Sequence, residues 1–158
     1  MISPATSAPG NAGRAILWGG LLAGTFDLAF AFIYYGAKPG VVQAVAGGLL
    51  GPAAYRGGAA TVLLGILLHY LVSFIWAGLF WIASRQLPVL IRFAVPAGLA
   101  YGPVVFYGMN LIVLPLSALR AKSWPAPFAP WPVAMHMLVV GLPIALAAKK
   151  FARTGDLT

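Results

Sequence analysis

The sequence predicts an all-α integral membrane protein, a four-helix bundle with a short interfacial or re-entrant helix between its first and second spans. Three observations carry that expectation. Of 158 residues, 61% are hydrophobic and only 8% charged, against about 25% charged in soluble domains, so the chain could not cover a water-facing surface. Four apolar runs reach the ~20 residues needed to cross a bilayer, where only helices and closed barrels satisfy the backbone. The ten Lys and Arg residues sit at the ends of those runs, the membrane-flank pattern, and form no patch suited to nucleic acid. The lack of cysteine excludes disulfides, iron–sulfur ligation and thiol catalysis.

Residues 1–14 are small, polar and rich in Pro and Gly, with Arg14 their only charge, and read as a flexible tail. One membrane domain over 15–150 follows. Its first span, about 15–36, contains WGGLLAGTFDLAFAFIYY. That run is longer than a signal-peptide core and carries an aspartate, so it reads as a span and not a cleaved leader. Lys38, Pro39 and Gly40 end it. Val41–Tyr55 is apolar but too short to cross, and Gly51-Pro52 breaks it. Val41–Leu50 is therefore expected as a short helix on or partly inside the membrane. The second span, about 59–84, leads to a basic turn with Arg85, Pro88 and Arg92. The third, about 93–117, carries Pro96, Pro103 and Pro115. A Pro-rich interfacial loop over 118–131 precedes the fourth, about 132–148, which stops at Lys149 and Lys150. Residues 151–158 form a second tail.

Four crossings place both termini on one side. That side holds Arg14, Arg85, Arg92, Lys149, Lys150 and Arg153, against Lys38, Arg56, Arg120 and Lys122 on the other. The positive-inside rule then makes the termini cytoplasmic, in a bacterial inner membrane. Trp18 and Trp81 on the first side, and Tyr34, Tyr35, Tyr55, Trp124 and Trp131 on the second, fit two aromatic belts. Gly20-x-x-x-Gly24 opens the first span and Gly98-x-x-x-Gly102 the third, while His69-Tyr-Leu-Val and His136-Met-Leu-Val lie in the second and fourth. These matches hint at two hairpins in parallel repeat. The glycine pairs are expected to pack helices closely within the bundle.

Each span carries one strongly polar side chain, Asp27, His69, Asn110 and His136. Asp27 is one of two acidic residues, and an ionised carboxylate in hydrocarbon is costly, so it is expected to face protein or water. It lies on a stripe of small residues with Gly20, Gly24 and Ala31. Thr61, Gly65, His69 and Ser73 form a matching stripe on the second span, and Tyr107 shares a face with Asn110. Thr61, Ser73 and Tyr107 are thus expected to support the polar layer. Counting ~1.5 Å per residue from the expected outer ends puts Asp27 at ~14, His69 at ~15, Asn110 at ~10 and His136 at ~8 Å depth. Asp27 and His69 are the expected partners.

Such a pair would exchange a proton near neutral or mildly acidic pH, as a pump, exchanger or acid sensor requires. The bland alternative is glue: polar contacts between membrane helices contribute about 0.6 kcal/mol each, the role expected of Asn110, Thr61 and Ser73. A metal held by Asp27, His69 and His136 has no spacing motif behind it. A haem between His69 and His136 needs level ligands, whereas their estimated depths differ by ~7 Å. No nucleophile–base motif appears, and beyond Asp27 the only carboxylate side chain is Asp156. No enzyme, cofactor or metal is expected.

Leu114-Pro115-Leu116-Ser117-Ala118, a loop with Pro125, Pro127, Pro130 and Trp131, and His136 ahead of Lys149-Lys150 resemble the YagU-like small four-helix inner-membrane proteins of bacteria. The resemblance implies an inner-membrane location, no known enzymatic activity and a link to acid tolerance. Asp27 and His69 have no counterpart in it. Two functions stand: proton-linked transport or acid response centred on Asp27 and His69, or a non-catalytic accessory or assembly subunit. The partners are the lipid bilayer and either further copies of this chain or a larger membrane complex.

Overall fold

The structure, a computed structural model, describes residues 11–119 and 130–152. The expected tails up to residue 10 and from 153, with Arg153 and Asp156, lie outside the described residues. So do positions 120–129 of the loop, with Arg120, Lys122, Trp124, Pro125 and Pro127. The described residues form six helices: α1 (Ala12–Tyr35), α2 (Pro39–Leu50), α3 (Gly58–Gln86), α4 (Val89–Arg92), α5 (Ala94–Leu116) and α6 (Pro130–Phe151). Four of them, α1, α3, α5 and α6, are long and apolar enough to cross a membrane. The protein is a multi-pass, all-α four-helix bundle.

Most boundaries differ from expectation by a few residues, for local reasons. The Asn11 side chain accepts a hydrogen bond from the Arg14 N–H at 3.1 Å, so α1 starts at Ala12 and residues 12–14 belong to a helix, not to the tail. Gly36, at φ +83°, ends it. Pro39 and Gly40 do not merely terminate α1; they form the first turn of α2, where proline loses no hydrogen bond. The turn that carries Arg85, Pro88 and Arg92 contains the one-turn α4, which Pro88 precedes and Arg92 ends, and whose fully buried Ile91 packs into that end of the bundle.

Around the bundle the order is α1, α3, α5, α6, closing back on α1. Gly20 and Gly24 receive α3, with Phe74, Tyr70 and Ser73 against them. Gly98 and Gly102 receive α6, with Gly141 and Met137 backbone in contact. Each expected glycine pair therefore serves its own hairpin. The α3–α5 seam is filled by aromatics: Trp76 lies over Gly108 and donates to the Met109 sulfur at 3.3 Å, while Tyr101 donates to the Trp76 carbonyl at 2.8 Å and stacks edge-on to Phe80. Trp81, expected in an interfacial belt, is buried instead, with the Arg85 guanidinium over its ring. Trp18, Tyr34, Tyr35, Tyr55 and Trp131 are exposed.

The short helix expected at Val41–Leu50 is α2, and it rests on α3 well inside the latter's first turn. Gly65, seven residues along α3, meets the Val42 carbonyl, so only a glycine fits there. The other end of α2 reaches α5, where Ala118 N–H donates to the Gly48 carbonyl at 2.8 Å. The helix thus bridges α3 and the end of α5.

Two departures from α geometry were not expected. Met109–Val113 in α5 and Met137–Gly141 in α6 are π-helical. In each case a leucine N–H bonds to the carbonyl five residues back, Leu114 to Met109 and Leu142 to Met137. A proline follows at once, Pro115 or Pro143. Lacking an N–H, it cannot continue the i→i+4 ladder, and the turn before it slips to the wider register. The sequence carries this as a repeated Met-x-x-x-x-Leu-Pro.

Candidate functional site

The polar groups are distributed by helix register, and the corrected ends change who meets whom. Asp27 lies eight residues inside Tyr35 and His136 six inside Pro130, ~12 and ~9 Å at the helical rise. His69 lies eleven residues inside Gly58, ~16 Å deep. His136, not His69, is therefore the imidazole that meets the carboxylate: its Nε2 stands 3.8 Å from Asp27 Oδ1. This corrects the expected Asp27–His69 pair. The expected levels of Asp27 and His136 lie ~6 Å apart, whereas the observed ends of α1 and α6 bring them within ~3 Å.

His69 reaches one turn deeper on α1. Its Nε2–H donates to the Gly24 carbonyl at 2.8 Å, since a carbonyl oxygen can only accept. Ser73 donates to the His69 carbonyl at 3.0 Å, and the His69 ring packs edge-on to Tyr70, whose hydroxyl meets Thr25 Oγ1 at 3.0 Å. This corner fastens α3 to α1.

His136 is set differently. Its Nδ1–H donates to the Pro132 carbonyl at 2.9 Å, one turn back on α6, and its ring packs edge-on against the buried Phe106 at 5.1 Å between centroids. The backbone carbonyl thereby fixes the tautomer. The other nitrogen, Nε2, is left to face Asp27. Neither side chain is sealed: His136 keeps 20% and Asp27 27% of its side-chain exposure.

Asn110 is 5% exposed and lies in the π segment of α5. Its Nδ2 donates to the Phe106 carbonyl at 2.8 Å, and among the described residues its Oδ1 has no partner. Asn110 thus joins the layer through Phe106 and not by touching Asp27. Tyr107 packs edge-on to Phe106, half-buried. Thr61 does not support the layer. It sits two turns from His69, donating to the Gly58 carbonyl at 3.1 Å and accepting from Gln43 Nε2 at 3.1 Å.

Gln43 was missed, although it is the one strongly polar side chain in Val41–Leu50. It is buried, and its amide also donates to the Gly58 carbonyl at 3.3 Å, which clamps α2 to the start of α3. Among the described residues no three metal-ligating side chains converge, and His69 Nε2 is engaged by the Gly24 carbonyl.

No protein family, curated protein or solved structure matches this chain.

Proposed function

We propose that this is a proton-responsive membrane protein in which Asp27 and His136 share one exchangeable proton between α1 and α6. The observation that carries this is the tautomer lock at His136. With Nδ1–H held by Pro132, a neutral ring turns the Nε2 lone pair towards an ionised carboxylate, and two acceptors repel. One added proton reverses the sign, whether it sits on the imidazole or on the carboxyl. At 3.8 Å the two atoms stand beyond hydrogen-bond length, so protonation has room to draw α1 and α6 together. Among the described residues, the neighbouring ionisable groups include His69 on α3, engaged with Gly24, Tyr70, whose hydroxyl meets Thr25, and Tyr35 two turns away on α1 itself.

A second function, a non-catalytic accessory or assembly subunit, is favoured by the His69 corner, where polar groups serve only to join helices. Infrared titration of the purified full chain separates the two. A carboxylic C=O band that titrates with pH, vanishes in Asp27→Asn and moves in His136→Gln, but persists in His69→Gln, is expected of the proton role. A spectrum unchanged by Asp27→Asn rejects it. Stoichiometric capture of other membrane proteins by a well-folded Asp27→Asn variant supports the subunit.

A further inference from the structure

We infer that the outer face between α1 and α6 is a binding groove for one anionic phospholipid, on the side of the termini. Trp18, Leu22 and Phe26 on α1 stand every fourth residue and face Leu138, Leu142 and Leu146, spaced alike on α6, across a groove of about 490 Å³. Leu138 to Lys150 is twelve residues, ~18 Å of helix, which matches one leaflet of a hydrocarbon core ~30 Å thick. An acyl chain lying along the groove would therefore bring its headgroup to the Lys150 end.

That end is positively charged from both helices. The Arg14 guanidinium and the Lys150 ammonium both lie over the Phe151 ring, at 5.7 and 5.9 Å from its centroid, and Phe151 and Lys150 line the groove mouth. Among the described residues the sole carboxylate side chain is Asp27, thirteen residues from Arg14 along the same helix, ~20 Å away. Two cations held on one aromatic ring at the mouth of an apolar groove one leaflet long complement a phosphate attached to an acyl chain. A zwitterionic lipid would fill the same groove but bring its own cation to that end.

The test is native mass spectrometry of the full chain in detergent, titrated with phosphatidylglycerol or with phosphatidylcholine of the same acyl chains. Phosphatidylglycerol is expected to bind as one copy, and each cation removed, in Arg14→Gln and Lys150→Gln, to weaken it roughly fivefold. Leu146→Trp, which fills the groove, is expected to weaken both lipids. Lys149→Gln, one residue away and outside the groove, is expected to change neither, and helical circular dichroism checks that every variant folds. Equal binding of the two lipids by the unaltered chain overturns the inference. So does a Lys149→Gln effect as large as that of Lys150→Gln, which would mean diffuse surface attraction, or lipid binding untouched by Leu146→Trp.

Discussion

The two histidines share a following Met/Tyr-Leu-Val, yet their environments differ by the partner of a single ring nitrogen. His69 gives its N–H to a carbonyl on another helix; His136 gives one to its own helix and turns the other nitrogen to an acid. Removing the first should therefore cost stability and little else. His69→Ala is expected to lose about 0.6–1.7 kcal/mol, the range for hydrogen bonds between membrane helices, in a reversible unfolding titration in mixed micelles. The infrared response of Asp27 should survive in that variant. Asn110 leads to the opposite expectation. Its Oδ1 is buried without a protein donor among the described residues, and an unsatisfied buried acceptor costs about 1–3 kcal/mol. Asn110→Leu should accordingly be neutral or more stable in the same titration. A loss above about 2 kcal/mol would show that the oxygen has a partner beyond the described side chains.

The helices are held by backbone approach more than by bulk. Lipid tails are as apolar as leucine, so burial alone does not drive membrane helices together, and close packing at small residues takes over. A Cβ at Gly102 would overlap the Met137 backbone, which no side-chain rotation can relieve. Gly102→Ala is expected to destabilise by about 1–3 kcal/mol, read from the unfolding midpoint. At Gly78 a Cβ would meet only Ile16 Cδ1, at 3.9 Å. Gly78→Ala should be neutral or slightly stabilising, because alanine is the better helix former by up to ~1 kcal/mol. The two π segments belong to this scale as well. The one in α6 begins directly after His136 and presses against Gly98 and Gly102, so the widened turn and the glycine cleft together set the face on which the imidazole emerges.

In the whole molecule, the two ends of the described chain meet. Asn11 N–H donates to the Phe151 carbonyl at 3.2 Å, which puts both ends of the described chain at the same end of the bundle. The chain has no cysteine of its own, so topology can be read with single substitutions. Asn11→Cys and Ala152→Cys should label from one side of the membrane and Lys38→Cys from the other, with a membrane-impermeant maleimide. The double variant Asn11→Cys/Ala152→Cys should cross-link. Labelling of Asn11→Cys and Ala152→Cys from opposite sides would break the four-span bundle.

By itself the sequence determined the class, the four spans, the short helix between the first two, and the four polar residues. Each of these follows from composition and local periodicity: hydrocarbon admits few charges, and a helix must be long enough to cross it. The repeated Met-x-x-x-x-Leu-Pro and the lone Gln43 were also there to be read, in proline chemistry and in one polar side chain within an apolar run. Which histidine meets Asp27 was decided only by tertiary structure. An offset of two residues amounts to ~3 Å along a helix, more than half of its ~5.4 Å pitch, and that is enough to exchange one partner for another. The widened turns before Pro115 and Pro143 then rotate the faces that a regular helix would present. Pairing inside a bundle depends on these accumulated offsets between helices, and no single span records them.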